Sequence, residues 1–178
     1  MLHGSEDLSI LDMSGASQAN ITFVTGAGHR ISSDDLVGTM QQIFGANFHE
    51  GQQVEEKAKL FLDSALTFPE ASFDGVMVWD ALQFLVSPVL EETVVRLLRV
   101  VRPGGLILAF FNANDKIGQL PLYSHRIQDA KTIAQVPRGG IQQARHFNNR
   151  DLEKLFEQAA SIKFFLTRDN LREVIVRR

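Results

Sequence analysis

The sequence predicts an α/β fold: a three-layer sandwich built on a doubly wound, mostly parallel seven-stranded sheet that ends in an antiparallel C-terminal hairpin strand. Two observations predict it. Short apolar, strand-like runs alternate five times with segments of helical character, and a parallel sheet with helices on both faces satisfies such an alternation. After the last helix, two strand-like runs flank the turn pair Asp169-Asn170 in "IKFFLTRDNLREVIVRR", which reads as a hairpin.

Each element has a local justification. "LSILDM" (Leu8–Met13) is an apolar run ending in an acid, suited to a buried first strand. "SGASQANITFVTGAG" carries Ala19, Ile21, Phe23 and Val24 into two glycines, and reads as a helix stopped at Gly26 or Gly28. "HRISSDD" is the second strand, "LVGTMQQIF" the second helix and "GANFHEGQ" a polar connection. "VEEKAKLFLDSAL" reads as part helix and part strand, the third strand lying near "LFLD". Val76–Trp79 begins the fourth strand. "SPVLEETVVRLLRVV" is the clearest helix: Ser87 caps it, Pro88 takes its first position, and Glu91 and Glu92 complement its dipole. Leu90, Val94, Leu97, Leu98 and Val101 fall on one helical face. "RPGG" ends that helix and "LILAFFN" is the fifth strand. Residues 113–146 lack sustained periodicity and read as a long irregular insertion covering the substrate side, followed by the helix "NNRDLEKLFEQAA".

Composition excludes several function classes. A chain of 178 residues, 44% hydrophobic and 22% charged, is read as a single domain over 1–178. The net charge of −3 suggests no nucleic-acid partner. Without cysteine there is no disulfide, thiolate metal site or cysteine nucleophile, and no histidine pair has metal-binding spacing. No apolar run approaches the roughly 20 residues of a membrane span, and the start has no signal-peptide core, so a cytoplasmic location is expected. The "VTGAGHR" turn invites a nicotinamide-dependent oxidoreductase reading. That fingerprint needs strand, then Gly-x-Gly-x-x-Gly, then helix. Here Ile31 stands at the third glycine position and a strand follows, so the glycines close a helix rather than open one.

In order and spacing, "FLDSALTFPEASFDGVMVWDALQFL" followed by "LLRVVRPGGLILAFFN" resembles the class I S-adenosylmethionine-dependent methyltransferases, and the similarity runs from "ILDM" to "LREVIVRR". The resemblance implies methyl transfer from S-adenosyl-L-methionine to a small-molecule acceptor by in-line displacement, leaving S-adenosyl-L-homocysteine. It implies cofactor contacts at Asp12, Ser14, Gly15 and Ala16 in the first motif, and at Asp35 and Leu36, with Asp35 on the ribose hydroxyls. It further implies Asp63 and Ser64 on the adenine, and Trp79 and Asp80 at the methionine end. Gln83, Tyr123 and Arg126 are expected at the substrate, with Arg138 and Arg145 as further candidates and His125 or His146 as a base. Two departures stand out. "DMSGASQAN" retains only Gly15 of the family's glycine-rich turn, and about eight residues precede the first strand. A homodimer covering the open site is therefore one expectation. A methyltransferase-fold partner module without catalysis is the main alternative function, and the oxidoreductase is the second.

Overall fold

The computed structural model describes residues 7–167 and 170–178. Four parallel strands form one side of a six-stranded sheet: β1 (Ser9–Asp12), β2 (Arg30–Ser33), β3 (Phe73–Trp79) and β4 (Val101–Asn112). Next to β4 run β8 (Leu171–Arg177) and then β7 (Ser161–Leu166), both pairings antiparallel, so the order is β2-β1-β3-β4-β8-β7. Of the expected terminal turn, Asp169 lies outside the described residues, while the flanking strands pair as expected.

The connections between the parallel strands place helices on both faces of the sheet. From β1 the chain passes through α1 (Gln18–Gly26) to β2 on one side of β1. It then returns through α2 (Leu36–Phe44), α3 (Phe48–Gln52) and α4 (Glu55–Ser64) to β3 on the other side. Among the described residues, this reversal puts α1 alone on one sheet face. There Val24 packs with Ile10, Met77, Trp79 and Phe110 in a small core. The opposite face carries α2 to α4, α5 (Val89–Val100) and α6 (Asn149–Leu155) over the larger core, with Phe44, Phe61, Leu97 and Leu152 inside it.

Three expectations are corrected. Among the described residues the sheet has six strands, not seven, because "LFLD" is the last part of α4. That segment follows two glutamates in the first helical turn and buries only Phe61, as one helical face would. "GANFHEGQ" contains α3, capped by the Asn47 side chain on the Glu50 amide and anchored by buried Phe48. Residues 113–146 are not irregular: β5 (Gln119–Ile127) and β6 (Ile133–Gln143) form an antiparallel hairpin.

Smaller details also shift. Gly28, at φ +83, ends α1 in the left-handed conformation, while the His29 amide donates back to Val24 O. Ser87 makes no cap to the backbone of α5 and instead donates to Glu91. "RPGG" lies inside β4, where the register against β3 breaks between the pairs at Phe73 and Gly75.

Candidate functional site

In an open α/β sheet, ligands bind at the carboxyl ends of the strands where the chain direction of winding reverses. Here that place lies between β1 and β3. It is framed by Asp12 at the end of β1, Asp35 just after β2, and Trp79 and Asp80 at the end of β3. The backbone there is unusual: Trp79 has φ +57, rare for a bulky residue, and Gly15 has φ +86. The first-motif loop is drawn onto β2, with the Gly15 amide donating to Asp34 O at 2.9 Å.

Asp12 is fully buried and surrounded by donors. Its Oδ1 accepts from Trp79 Nε1 at 2.7 Å and from the amide and hydroxyl of Ser14 at 3.2 and 3.1 Å. Its Oδ2 accepts from Asn20 Nδ2 at 2.5 Å. A buried carboxylate requires such a ring of donors, since an unpaired buried charge is costly. Asp35 caps α2 through the Gly38 amide at 2.8 Å. Both of its oxygens also meet Arg138 of β6, Oδ1 at 2.8 Å and Oδ2 at 2.6 Å, in the bidentate geometry that suits a guanidinium.

The β5–β6 hairpin fills the crevice. Leu122 joins the larger core and Ile127 the smaller one, so the hairpin lies across the strand ends. His125 O lies 3.1 Å from Ser14 Oγ, whose single proton it shares with Asp12 Oδ1, and accepts from Asn20 Nδ2 at 2.9 Å, while the Ile127 amide donates to Asn20 Oδ1 at 2.7 Å. The His125 ring stacks on Trp79 with centroids 5.0 Å apart and 4° between planes. At the base of the hairpin, the Gln142 side chain accepts from the Phe48 amide and donates to Ala46 O.

Electrostatics follow from this burial. Desolvation lowers the His125 pKa to about 4, so the ring is neutral near pH 7. Burial pushes Asp80 up to about 7, against the opposing pull of its own backbone amide and of Arg138. The two groups face each other, His125 Nδ1 lying 3.8 Å from Asp80 Oδ1, and among the described residues that nitrogen has no hydrogen-bond partner. Gln135 Nε2, a donor, faces His125 Nε2 at 3.4 Å, which favours the tautomer with the proton on Nδ1.

The structure brings together Asp12, Ser14, Gly15, Asp35, Trp79, Asp80 and His125 from the residues expected of the sequence, with Leu36 buried beneath them as the first residue of α2. Ala16 is exposed beside the loop. Asp63 and Ser64 are not at a strand end; they sit exposed at the end of α4, where Ser64 Oγ donates to Leu60 O. Gln83 is buried in a bracing role, its Oε1 accepting from the Asn112 amide and its backbone O from the Arg145 amide. Tyr123 is half-buried opposite Pro137, Arg126 is exposed opposite Ala134, His146 is exposed, and Arg145 lies over the Phe147 ring. Arg138, expected to face an acceptor, binds the carboxylate of Asp35 instead. The residue sequence reasoning missed is Asn20: a buried amide on the inner face of a short helix, one turn before buried Val24. Among the described residues, no cluster of metal-ligating side chains occurs, and no helix is long and apolar enough to cross a membrane.

The chemistry of the two acids matches a nucleoside cofactor in kind: Asp35 offers paired acceptors for vicinal hydroxyls. The occupancy does not match while the hairpin is seated, because both oxygens of Asp35 and of Asp12 are engaged by the chain itself. The chain's own hairpin also covers the site, which removes the reason for expecting a second subunit over an open crevice.

Comparison with solved structures finds the same fold widely. A SAM-dependent methyltransferase from Methanosarcina mazei is 17% identical, with a TM-score of 0.56 over 99% of this chain and 94% of that one. The PH0226 protein from Pyrococcus horikoshii is 12% identical, with a TM-score of 0.59 over 98% and 84%. The 1,6-didemethyltoxoflavin-N1-methyltransferase of Burkholderia thailandensis, crystallised with 1,6-didemethyltoxoflavin and S-adenosylhomocysteine, is 14% identical, with a TM-score of 0.54 over 97% and 72%. A search of curated proteins finds no match. The sequence model of the methyltransferase domain matches residues 11–109, from β1 through most of β4 and so across every acid of the crevice, and on this match the chain belongs to the methyltransferase domain family.

Proposed function

We propose that this protein transfers a methyl group from S-adenosyl-L-methionine to a small-molecule acceptor, using the crevice between β1 and β3. The observation that carries this reading is the family match over 11–109, which spans the strand ends where Asp12, Asp35, Trp79 and Asp80 converge. Bound there, S-adenosylmethionine supplies an electrophilic sulfonium methyl group. With the hairpin displaced, Asp35 presents two oxygens to the ribose hydroxyls, and its cap on Gly38 fixes their direction. Asp12 holds the first-motif loop through Ser14 and fixes the Trp79 ring, which walls the methionine end.

Transfer of this kind needs no protein nucleophile, so the chain contributes mainly alignment and exclusion of water. His125, carried on the hairpin that covers Trp79, is the candidate to take a proton from an acceptor that must lose one. A small acceptor of this sort is bound by the Burkholderia thailandensis structure. The test is calorimetric titration of S-adenosylhomocysteine into Arg138→Ala and into the double variant Arg138→Ala/Asp35→Ala. The double variant removes the carboxylate without leaving the guanidinium unpaired. Micromolar binding lost on removing Asp35 supports the reading; absence of heat at millimolar ligand in both refutes it.

A further inference from the structure

We propose that the outer half of the β5–β6 hairpin, residues 123–137, is a hinged flap that closes the crevice against the chain's own cofactor, with the Arg138–Asp35 pair as its latch. This rests on the methyl-transfer reading of the crevice. Three independent features support it. The groups that hold the flap are the ones the cofactor would use: Asp35 binds Arg138, the Ser14 hydroxyl binds His125 O, and the Trp79 face is covered by the His125 ring. Flap and nucleoside therefore compete for the same atoms and cannot be seated together.

The second feature is a built-in hinge. The register of β5 against β6 breaks between the pairs at Pro121 and Tyr123; Pro121 pairs with Ile141, but Tyr123 pairs with Pro137. Between these pairs Leu122 of β5 stands against Arg138, Gly139 and Gly140 of β6, a surplus of two residues, and both glycines have positive φ, +77 and +89. A bulge of two left-handed glycines bends a hairpin locally without breaking either half.

The third is that the base stays fixed while the tip does not depend on it. On the inner side of the bulge, Gln142 is tied to Ala46 and Phe48, and Leu122 lies in the larger core. Beyond the bulge, the tip from Gln128 to Ile133 is exposed. The flap's attachment is thus the polar clasp on Ser14 and Asn20 together with the His125 and Ile127 contacts, and the Arg138 latch on Asp35 sits at the hinge itself. Opening the clasp would swing His125 off Trp79 while leaving the hairpin's root in place.

The experiment compares S-adenosylhomocysteine affinity of the wild type, Arg138→Ala and Arg138→Lys by calorimetry, with amide hydrogen exchange at Ile127 measured with and without ligand. The flap predicts about tenfold tighter binding for Arg138→Ala and a smaller gain, about threefold, for Arg138→Lys, which keeps the charge but loses the fork. It also predicts faster Ile127 exchange in the ligand-bound wild type, since that amide donates to Asn20 only when the flap is down. Equal affinities in the wild type and both variants, or unchanged Ile127 protection on binding, overturn the flap and leave the cofactor reading standing. No binding by any of the three at millimolar ligand overturns the cofactor reading and the flap with it. Should Arg138→Ala fail to fold, Arg138→Lys and the exchange measurement decide the question alone.

Discussion

Replacing Asn20 with alanine isolates the brace between α1, β1 and the hairpin. The Asn20 amide donates to Asp12 Oδ2 and His125 O and accepts from the Ile127 amide, all three in the buried interior. Alanine removes the three bonds together. His125 O keeps the Ser14 hydroxyl, but Asp12 Oδ2 and the Ile127 amide lose their partner. Orphaning a buried polar group costs about 1–3 kcal/mol, and more when it is charged. Two such groups give about 4 kcal/mol. Alanine's better helix propensity returns about 0.5 kcal/mol, so the expected net loss is about 3–4 kcal/mol. Set against a typical domain stability of about 5–15 kcal/mol, that is a large fraction. Urea unfolding followed by far-ultraviolet circular dichroism measures it. Fluorescence of Trp79, the only tryptophan, reports the crevice separately. Thr22→Ala, exposed on the same helix, controls for the helix itself and should change stability by less than about 0.5 kcal/mol. A loss below about 1 kcal/mol, with Trp79 emission and Ile127 exchange both unchanged, would refute the assignment of Asn20 as the brace.

Three further outcomes follow from the same geometry. Asp80 has its folded pKa raised to about 7 from an ordinary 3.8, so the stability it contributes is full at low pH and is lost as pH rises toward 7. His125, lowered to about 4, acts with the opposite sign between about 4 and 6.5, so the wild-type pair nearly cancels there. Asp80→Asn removes one side: its stability minus that of the wild type should rise by about 1.4 kcal/mol per pH unit from about 4 to 7 and then level off, and a difference independent of pH in chemical denaturation would contradict the raised Asp80. At Gly38 an added Cβ would lie 2.5 Å from Asp35 Oδ2 and 3.1 Å from Arg138 Nη2. Gly38→Ala should therefore cost about 1–3 kcal/mol and disturb the latch, seen as a lower melting temperature; an unchanged melting temperature would mean that Asp35 moves freely. Phe61→Ala should cost about 3–5 kcal/mol, because Phe61 is fully buried between α2 and α4 and its ring centroid lies 4.9 Å from that of Phe44; a loss under 1 kcal/mol by urea unfolding would show that α4 is dispensable to the core.

The sequence by itself determined the fold class, a mostly parallel sheet with an antiparallel C-terminal hairpin, though not its strand count. Apolar periodicity in "LSILDM", "GVMVW" and "LILAFF", and the one-sided face of α5, are local signals, and each became the element it implies. The acids at the ends of β1 and β2 were legible for the same reason, since a strand followed by Asp is a short-range pattern. "LFLD" misled because four apolar-rich residues fit a short strand or a helical turn equally well; the neighbouring glutamates and the packing of Phe61 onto Phe44 decided for helix. What only tertiary structure decided is the state of the crevice. Arg138 and Asp35 are 103 residues apart, and His125 O reaches Asn20 across 105. No local propensity encodes such a pairing. It depends on a hairpin whose alternation is weak, whose register shifts at Gly139 and Gly140, and whose resting place is fixed by buried hydrogen bonds to Ser14, Asn20 and Asp35.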